Sequence, residues 1–266
     1  MGVRLATNLQ GSKYDVDHVE VSEVGRQRLK DAIGQDCVEQ AAALESADVV
    51  VLAVPDKLIG TIAKTFIEDL KPGTSVIMLD AAAPHAGELP ERGDITYFVS
   101  HPCHPPIFND ETSSEAKNDF FGGLHAKQHI ICALMQGPDD HYDLCEDIAR
   151  TFYKPVMRSH RVSVEQMAIL EPALSETVGA TLALATRKAL DHAVGLGVPK
   201  QAAMDFMLGH LNIELSVAYE IFDGKFSDGA LQAIVDAEPV IFKDGWIESV
   251  FDPDAVMASV QKICKP

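Results

Sequence analysis

Ala47-Asp48-Val49-Val50-Val51-Leu52-Ala53-Val54-Pro55-Asp56 decides the fold. Its six apolar residues in a row, rich in Val and closed by Pro55-Asp56, have the composition of a strand buried on both faces, as in a parallel sheet. Upstream, Gly2 to Leu9 reads as a short helix closed by Gly11, Asp17 to Ser22 as a strand, and Val24 to Ala32 as a helix stopped by Gly34. Downstream come a helix from about Lys57 to Leu70, a Pro72-Gly73 turn, and strands at Ser75 to Leu79 and Thr96 to Ser100. A strand at His129 to Leu134, a helix at Asp139 to Tyr153 and a last strand at Pro155 to Met157 complete the pattern. Such alternation predicts an α/β fold: a doubly wound, mainly parallel sheet of Rossmann type.

After Ser159 the pattern changes to helical periodicity. We therefore divide the chain into an α/β domain over residues 1–160 and an all-α domain over residues 161–266. Ser163 suits the N-cap of a helix running to about Gly195, which would be about 50 Å long at 1.5 Å per residue and bent at Pro172. Gly195 and Gly197 stop it; Pro199 and Asp252-Pro253 mark the starts of later helices. A helix longer than a small domain is wide leaves apolar surface uncovered in one copy, so a homodimer through the helical domain is expected.

The 266 residues carry 22 Lys plus Arg against 40 Asp plus Glu, a net charge of −18. That field opposes nucleic acid and anionic membranes, and no basic run makes a local exception. The longest apolar run, Val49 to Val54, is far shorter than the roughly 18 residues of a membrane span. The start shows no apolar signal segment, and Ala6 spoils a myristoylation pattern. Five scattered cysteines without a C-x-x-C pair fit a reducing compartment, and a cytoplasmic location is expected.

In a dinucleotide-binding βαβ unit the last glycine of the Gly-rich turn opens the first helix, and an acidic residue about twenty positions later holds the ribose. Gly2 and Glu20 stand 18 residues apart, each in its expected place, and Val54, Pro55 and Asp56 end a strand where a cofactor would lie. A carboxylate at Glu20 accepts from ribose hydroxyls and repels a 2′-phosphate, which favours NAD over NADP, although Arg26 and Arg28 lie close by.

Here a family resemblance enters. Met1-Gly2-Val3-Arg4-Leu5-Ala6-Thr7-Asn8-Leu9 resembles the M-G-x-x-L-A-x-N-L that follows the glycine loop in the 6-phosphogluconate and β-hydroxyacid dehydrogenase superfamily, and Ala47 to Asp56 resembles that superfamily's fourth strand. The resemblance places the first strand and first two glycines before Met1, and a short leading segment is expected in the native protein. The family's catalytic lysine has no counterpart, because the corresponding helix reads Glu171-Pro172-Ala173-Leu174-Ser175-Glu176-Thr177-Val178-Gly179-Ala180-Thr181-Leu182 and the first lysine after it is Lys188.

A different polar constellation stands in its place. His101-Pro102-Cys103-His104-Pro105-Pro106 follows a strand, where ligand-binding loops of parallel sheets emerge. His101, His104, Glu171 and His210 are the candidate acid–base groups. Glu165 and Glu176, eleven residues and so about three α-turns apart, share a helix face and are candidate substrate ligands, as are Arg158 and Arg161 for a carboxylate. His210 and Glu214, at i and i+4, are candidate ligands for a divalent metal. The His101–Pro106 loop, the Glu171–Leu182 helix and Gly209-His210-Leu211-Asn212-Ile213-Glu214 together resemble bacterial proteins with a phosphogluconate-dehydrogenase-type C-terminal domain, a group that includes D-apionate oxidoisomerases. The resemblance implies an NAD-dependent oxidoreductase of small hydroxylated carboxylic acids, with hydride transfer in the interdomain cleft. Two alternatives are a metal-assisted oxidoisomerase of an apionate-like acid and a non-catalytic NAD(H)-sensing dimer.

Overall fold

The structure is a computed structural model and describes residues 1–265. They form two compact units: Met1–Leu170 with the residues from Met257 onward, and Glu171–Val256.

The first unit holds a five-stranded sheet in the order β1 (Val49–Leu52), β2 (Ser75–Met78), β3 (Thr96–Pro102), β4 (Gln128–Gln136), β5 (Val156–Arg161). All neighbouring pairs are parallel except β3 with β4, so the sheet is mainly parallel, as expected. Period-2 alternation sorts its side chains: Val76, Met78, Tyr97, Val99 and Ile131 enter one core with Ile59, Ile67 and Met167. Ile77, Phe98, Ile130 and Cys132 enter the other, under Tyr142, Ile148 and Phe152 of the helix Asp139–Phe152. Each fully buried large side chain contributes about 1.5–3 kcal/mol, which makes β2 and β3 the rigid centre of the unit.

Several boundaries differ from the sequence reading. Asp17–Ser22 has no regular secondary structure and pairs with no strand among the described residues, and a segment without a ladder partner is not a strand. The stretch expected as one helix from Lys57 to Leu70 is two 3₁₀ turns, Asp56–Leu58 and Ile67–Asp69, around a short helix Ile59–Ala63. β1 is an edge strand whose three valines are only half-buried, because one side of its ladder is unpaired in the sheet. β3 and β5 run longer than read, so His101 sits within a strand and Arg158 and Arg161 lie on one.

Ser163 caps the long helix through a reciprocal box, its side chain accepting from Gln166 and Gln166 accepting in return from the Ser163 N–H at 2.9 Å. Val164–Ala168 is α-helical, Ile169–Ala180 is wound i→i+5 around Pro172, and Thr181–Gly195 returns to α. Proline has no N–H to give, and the wider winding absorbs the lost bond without a break. The helical run Val164–Gly195, 32 residues with a best window of mean hydropathy 1.2, is long and apolar enough to cross a membrane, a test that core helices of water-soluble proteins also pass.

The second unit continues that run and adds Lys200–Ala218, Asp228–Ile241 and Trp246–Phe251. Pro199 stands at the N-cap, one position earlier than read, while Pro253 opens the last helix as expected, with Asp252 Oδ1 accepting from the Asp254 and Ala255 N–H groups. Asp228–Ile241 buries no residue in the single chain.

Candidate active site

β2 and β3 are parallel, so their carboxyl ends deliver Leu79-Asp80 and His101 to one edge of the sheet, where ligands of open α/β folds bind. Asp80 is 5% exposed, and its Oδ1 accepts the Ala82 N–H at 2.7 Å, opening the short helix Ala82–His85. His101 Nδ1 lies 2.8 Å from the Leu79 carbonyl. A carbonyl only accepts, so Nδ1 carries the proton and Nε2 the lone pair. Burial pushes the His101 pKa below the ordinary imidazole value, against the opposing pull of the Leu79 carbonyl and the Asp80 charge. The result is a neutral imidazole with a basic Nε2, and an Asp80 oxygen within 4.8 Å of a His101 ring nitrogen. That pair can take a proton from a hydroxyl or supply two donors to a divalent cation.

His104 adopts a positive φ of 60° and its Nδ1 donates to the Phe121 carbonyl at 2.9 Å. Its ring meets those of His101 and Phe121 edge-on, at 6.3 and 5.9 Å. Both histidines of the loop are thus held in one tautomer by a backbone carbonyl.

Of the cofactor candidates, Gly2 and the Val54–Asp56 strand end lie close together. A Cβ on Gly2 would touch the Ala53 Cβ at 3.7 Å, so the start of the first helix lies against the strand end that leads to Val54, Pro55 and Asp56. Val54 packs on the core, the Pro55 carbonyl accepts from Leu58 at 2.8 Å, and Asp56 is exposed in the first 3₁₀ turn. Glu20 Oε1 accepts the Ser22 N–H at 2.8 Å, and the rest of its carboxylate lies over Gly25, where a Cβ would come within 2.5 Å. Arg26 Nε donates to the Glu20 backbone carbonyl at 2.6 Å and leaves the carboxylate alone. Gly25 is therefore part of the glutamate's seat, a role that sequence reading missed because a glycine in a helix carries no signature of what lies above it.

Arg158 and Arg161 do not act together. Arg161 pairs with Asp139 at 2.5 Å and lies over the Tyr142 ring at 4.2 Å, on the face of the Asp139–Phe152 helix. Arg158 points to the other face, where its Nη2 is 3.4 Å from His129 Nε2. Strand alternation separates residues three apart, so one carboxylate cannot bridge both. Glu165 is exposed in the first turn of its helix, and its hydrogen bond with Ser163 holds its carboxyl below the usual range. The wide winding of Ile169–Ala180 lies between Glu165 and Glu176, so the three-turn arithmetic that put them on one face does not hold. Glu171 is half-buried and directly follows Leu170, which packs on the first core; Glu176 is exposed. His210 is exposed, stacked on Phe206 with ring centroids 3.9 Å apart, its Nδ1 donating to the Phe206 carbonyl at 2.9 Å. No third donor of metal-binding type joins His210 and Glu214 among the described residues. Asp80 is the residue that sequence reading missed; its signal was a lone carboxylate directly after the all-apolar run Val76 to Leu79.

Residues 109–264 match the family model of the phosphogluconate dehydrogenase (decarboxylating) C-terminal domain. The chain belongs to that dehydrogenase family. Within this phosphogluconate-dehydrogenase-type family it is similar to a D-apionate oxidoisomerase of Rhizobium rhizogenes, 56% identical over 99% of this chain and 95% of that one. A D-apionate oxidoisomerase of Cupriavidus necator is 55% identical over the same shares. Among solved structures, a semialdehyde dehydrogenase NAD-binding protein from Cupriavidus necator, in complex with calcium and NAD, superposes with a TM-score of 0.96 at 55% identity, covering 98% of this chain and 95% of that one. An NADH-preferring ketol-acid reductoisomerase from an uncultured archaeon shares the fold, with a TM-score of 0.69 at 14% identity over 98% of this chain and 82% of that one.

Proposed function

We propose that this chain oxidises a small hydroxylated carboxylic acid with NAD and that its substrate is an apionate-type branched sugar acid, which it both oxidises and isomerises. Full-length identity of 55–56% to D-apionate oxidoisomerases carries the reading. The built site agrees with it: oxidation of a secondary alcohol sends the hydroxyl proton to a base and the carbon-bound hydrogen, as hydride, to the nicotinamide. His101 Nε2 is the base in this proposal, oriented by the Leu79 carbonyl. Gly2 at the helix start, Glu20 and Val54 to Asp56 hold the dinucleotide, the helix terminus facing its pyrophosphate and Glu20 its ribose.

A divalent metal would fit the pair Asp80 and His101 as the alternative to His101 acting as base, because the single Nε2 lone pair serves either the ion or the hydroxyl proton. When bound there it would polarise a substrate oxygen as a Lewis acid. An imidazole ligand suits a transition metal better than calcium, which prefers oxygen donors throughout. His104, Arg158, Glu165, Glu171, Glu176, His210 and Glu214 belong to the same proposal as further substrate or proton-handling groups.

The proposal includes a homodimer through the helical unit. The chain exposes 16011 Å², against roughly 11,300 Å² expected of a folded monomer of its mass by the usual area scaling. Phe206, Leu208, Val235, Val240 and Ile241 are all exposed in that unit. A second copy that covered them would form an interface of the obligate class. A cytoplasmic location completes the reading.

The test is NADH formation with D-apionate. Turnover with NAD and none with NADP supports the reading; no turnover with any C4 to C6 sugar acid refutes it.

A further inference from the structure

Cross-strand pairing puts a second polar group on the same sheet face as His101. His101 stands opposite Ile131 on β4, and Ile131 opposite His160 on β5. Residues directly opposite share a face, so His101 and His160 project to one side, about 10 Å apart at the backbone, two strand spacings. His129, two residues before Ile131, projects to that side as well. Its ring meets His160 with centroids 6.0 Å apart, and its Nε2 meets the Arg158 guanidinium at 3.4 Å.

The cluster is incomplete in three respects. His129 Nδ1 is buried and has no hydrogen-bond partner. Arg158 makes no ion pair with a carboxylate among the described residues, in a chain of net charge −18, whereas Arg161 on the opposite face has Asp139. Burial, then the neighbouring Arg158 and His160, push the His129 pKa down, which marks the cluster as one where positive charge meets positive charge.

We infer that His129, Arg158 and His160 form the seat of the substrate's carboxylate. The inference rests on the sugar-acid reading above and adds to it which groups hold the acid and at what reach from the base. His129 Nε2 accepts from Arg158 Nη2 and so orients the planar guanidinium, which presents its other N–H groups to the carboxylate oxygens, while His160 donates to a remaining lone pair. A C4 to C6 acid anchored there spans the interval to His101, which places a hydroxyl-bearing carbon at the imidazole and excludes acids too short to reach. Arg161 takes no part.

The experiment measures NAD-dependent oxidation of D-apionate by wild type, Arg158→Gln, Arg158→Lys and His160→Gln. The anion seat requires Arg158→Gln to raise KM for the acid by about ten- to a hundredfold, the loss of a charge-assisted hydrogen bond, with kcat less affected and KM for NAD unchanged. Arg158→Lys keeps the charge and recovers part of the loss, and His160→Gln falls between. An Arg158→Gln protein whose KM for the acid stays within twofold of wild type overturns the inference and leaves the sugar-acid reading intact. A wild type that oxidises no sugar acid refutes that reading instead. Titration calorimetry with D-apionate and with its uncharged amide then decides the seat: binding of the acid alone, lost in Arg158→Gln, supports it, and equal binding to both proteins or none to wild type overturns it.

Discussion

His101 and Asp80 show what burial does to individual groups. The Leu79 carbonyl fixes the imidazole proton on Nδ1, and burial lowers the ring's pKa against the pull of the Asp80 charge, which is the setting that the proposed role of His101 as base requires. Replacing His101 with Ala should lower kcat by about 10²- to 10⁴-fold while NAD still raises the melting temperature. Gly25 offers a cleaner separation of binding from folding. A methyl group there meets the far end of the Glu20 side chain, which can swing away, and Ala is the better helix former by about 1 kcal/mol. Gly25→Ala should therefore keep or raise the melting temperature and weaken NAD, as read by thermal shift with and without the dinucleotide. Loss of stability without loss of NAD affinity would remove Glu20 from the cofactor site. Gly25 was not legible in the sequence, since its importance depends on the Glu20 side chain folding over it, whereas Asp80 left a signal, a lone carboxylate at the end of an apolar run, that gained meaning only once β3 placed His101 beside it.

The first helix shows how an element is tied to the rest. Asn8 Nδ2 faces the backbone carbonyls of Gly123, Phe152 and Lys154, and Arg4 pairs with Asp119 at 2.8 Å. Burial pushes the Asp119 carboxyl up, but the N–H groups of His125, Ala126 and Leu124 and the Arg4 guanidinium outweigh it and hold its pKa at about 2. A carboxylate depressed below its unfolded value stabilises the fold above pH 4 and stops doing so as pH falls toward 2. Asp119→Asn should thus be less stable by about 2 kcal/mol at pH 7, with the gap closing between pH 4 and pH 2 in denaturant melts. Element existence was mostly legible: caps at Ser163 and Asp252, the stop at Gly34, the Pro72-Gly73 turn, and apolar alternation in β2 and β3 all act locally. The failures were non-local. Asp17–Ser22 lacked a partner strand, and the winding of Ile169–Ala180 changed which residues share a helix face without changing the composition that predicted a helix.

At the scale of the molecule, the helical unit buries little, Leu190 and Ser216 being the buried residues of its two long helices from Thr181 to Ala218, and the proposed homodimer would cover the rest. Light scattering should give twice 28.8 kDa, and a charge introduced at an exposed apolar position such as Val235→Asp should yield monomers of lower melting temperature. A wild-type mass of 28.8 kDa would contradict the dimer. The family resemblance that the first helix, the His101–Pro106 loop and the Glu171–Leu182 helix carried in sequence is the one that the whole chain bears out. NAD-linked oxidation of a sugar acid with His101 as base is tested by the initial rate of NADH formation from D-apionate by wild type and His101→Ala. Wild type should turn over with NAD, and the variant should bind NAD but be slower by at least about a hundredfold. Equal rates in the two proteins, or no NADH from wild type, would contradict it.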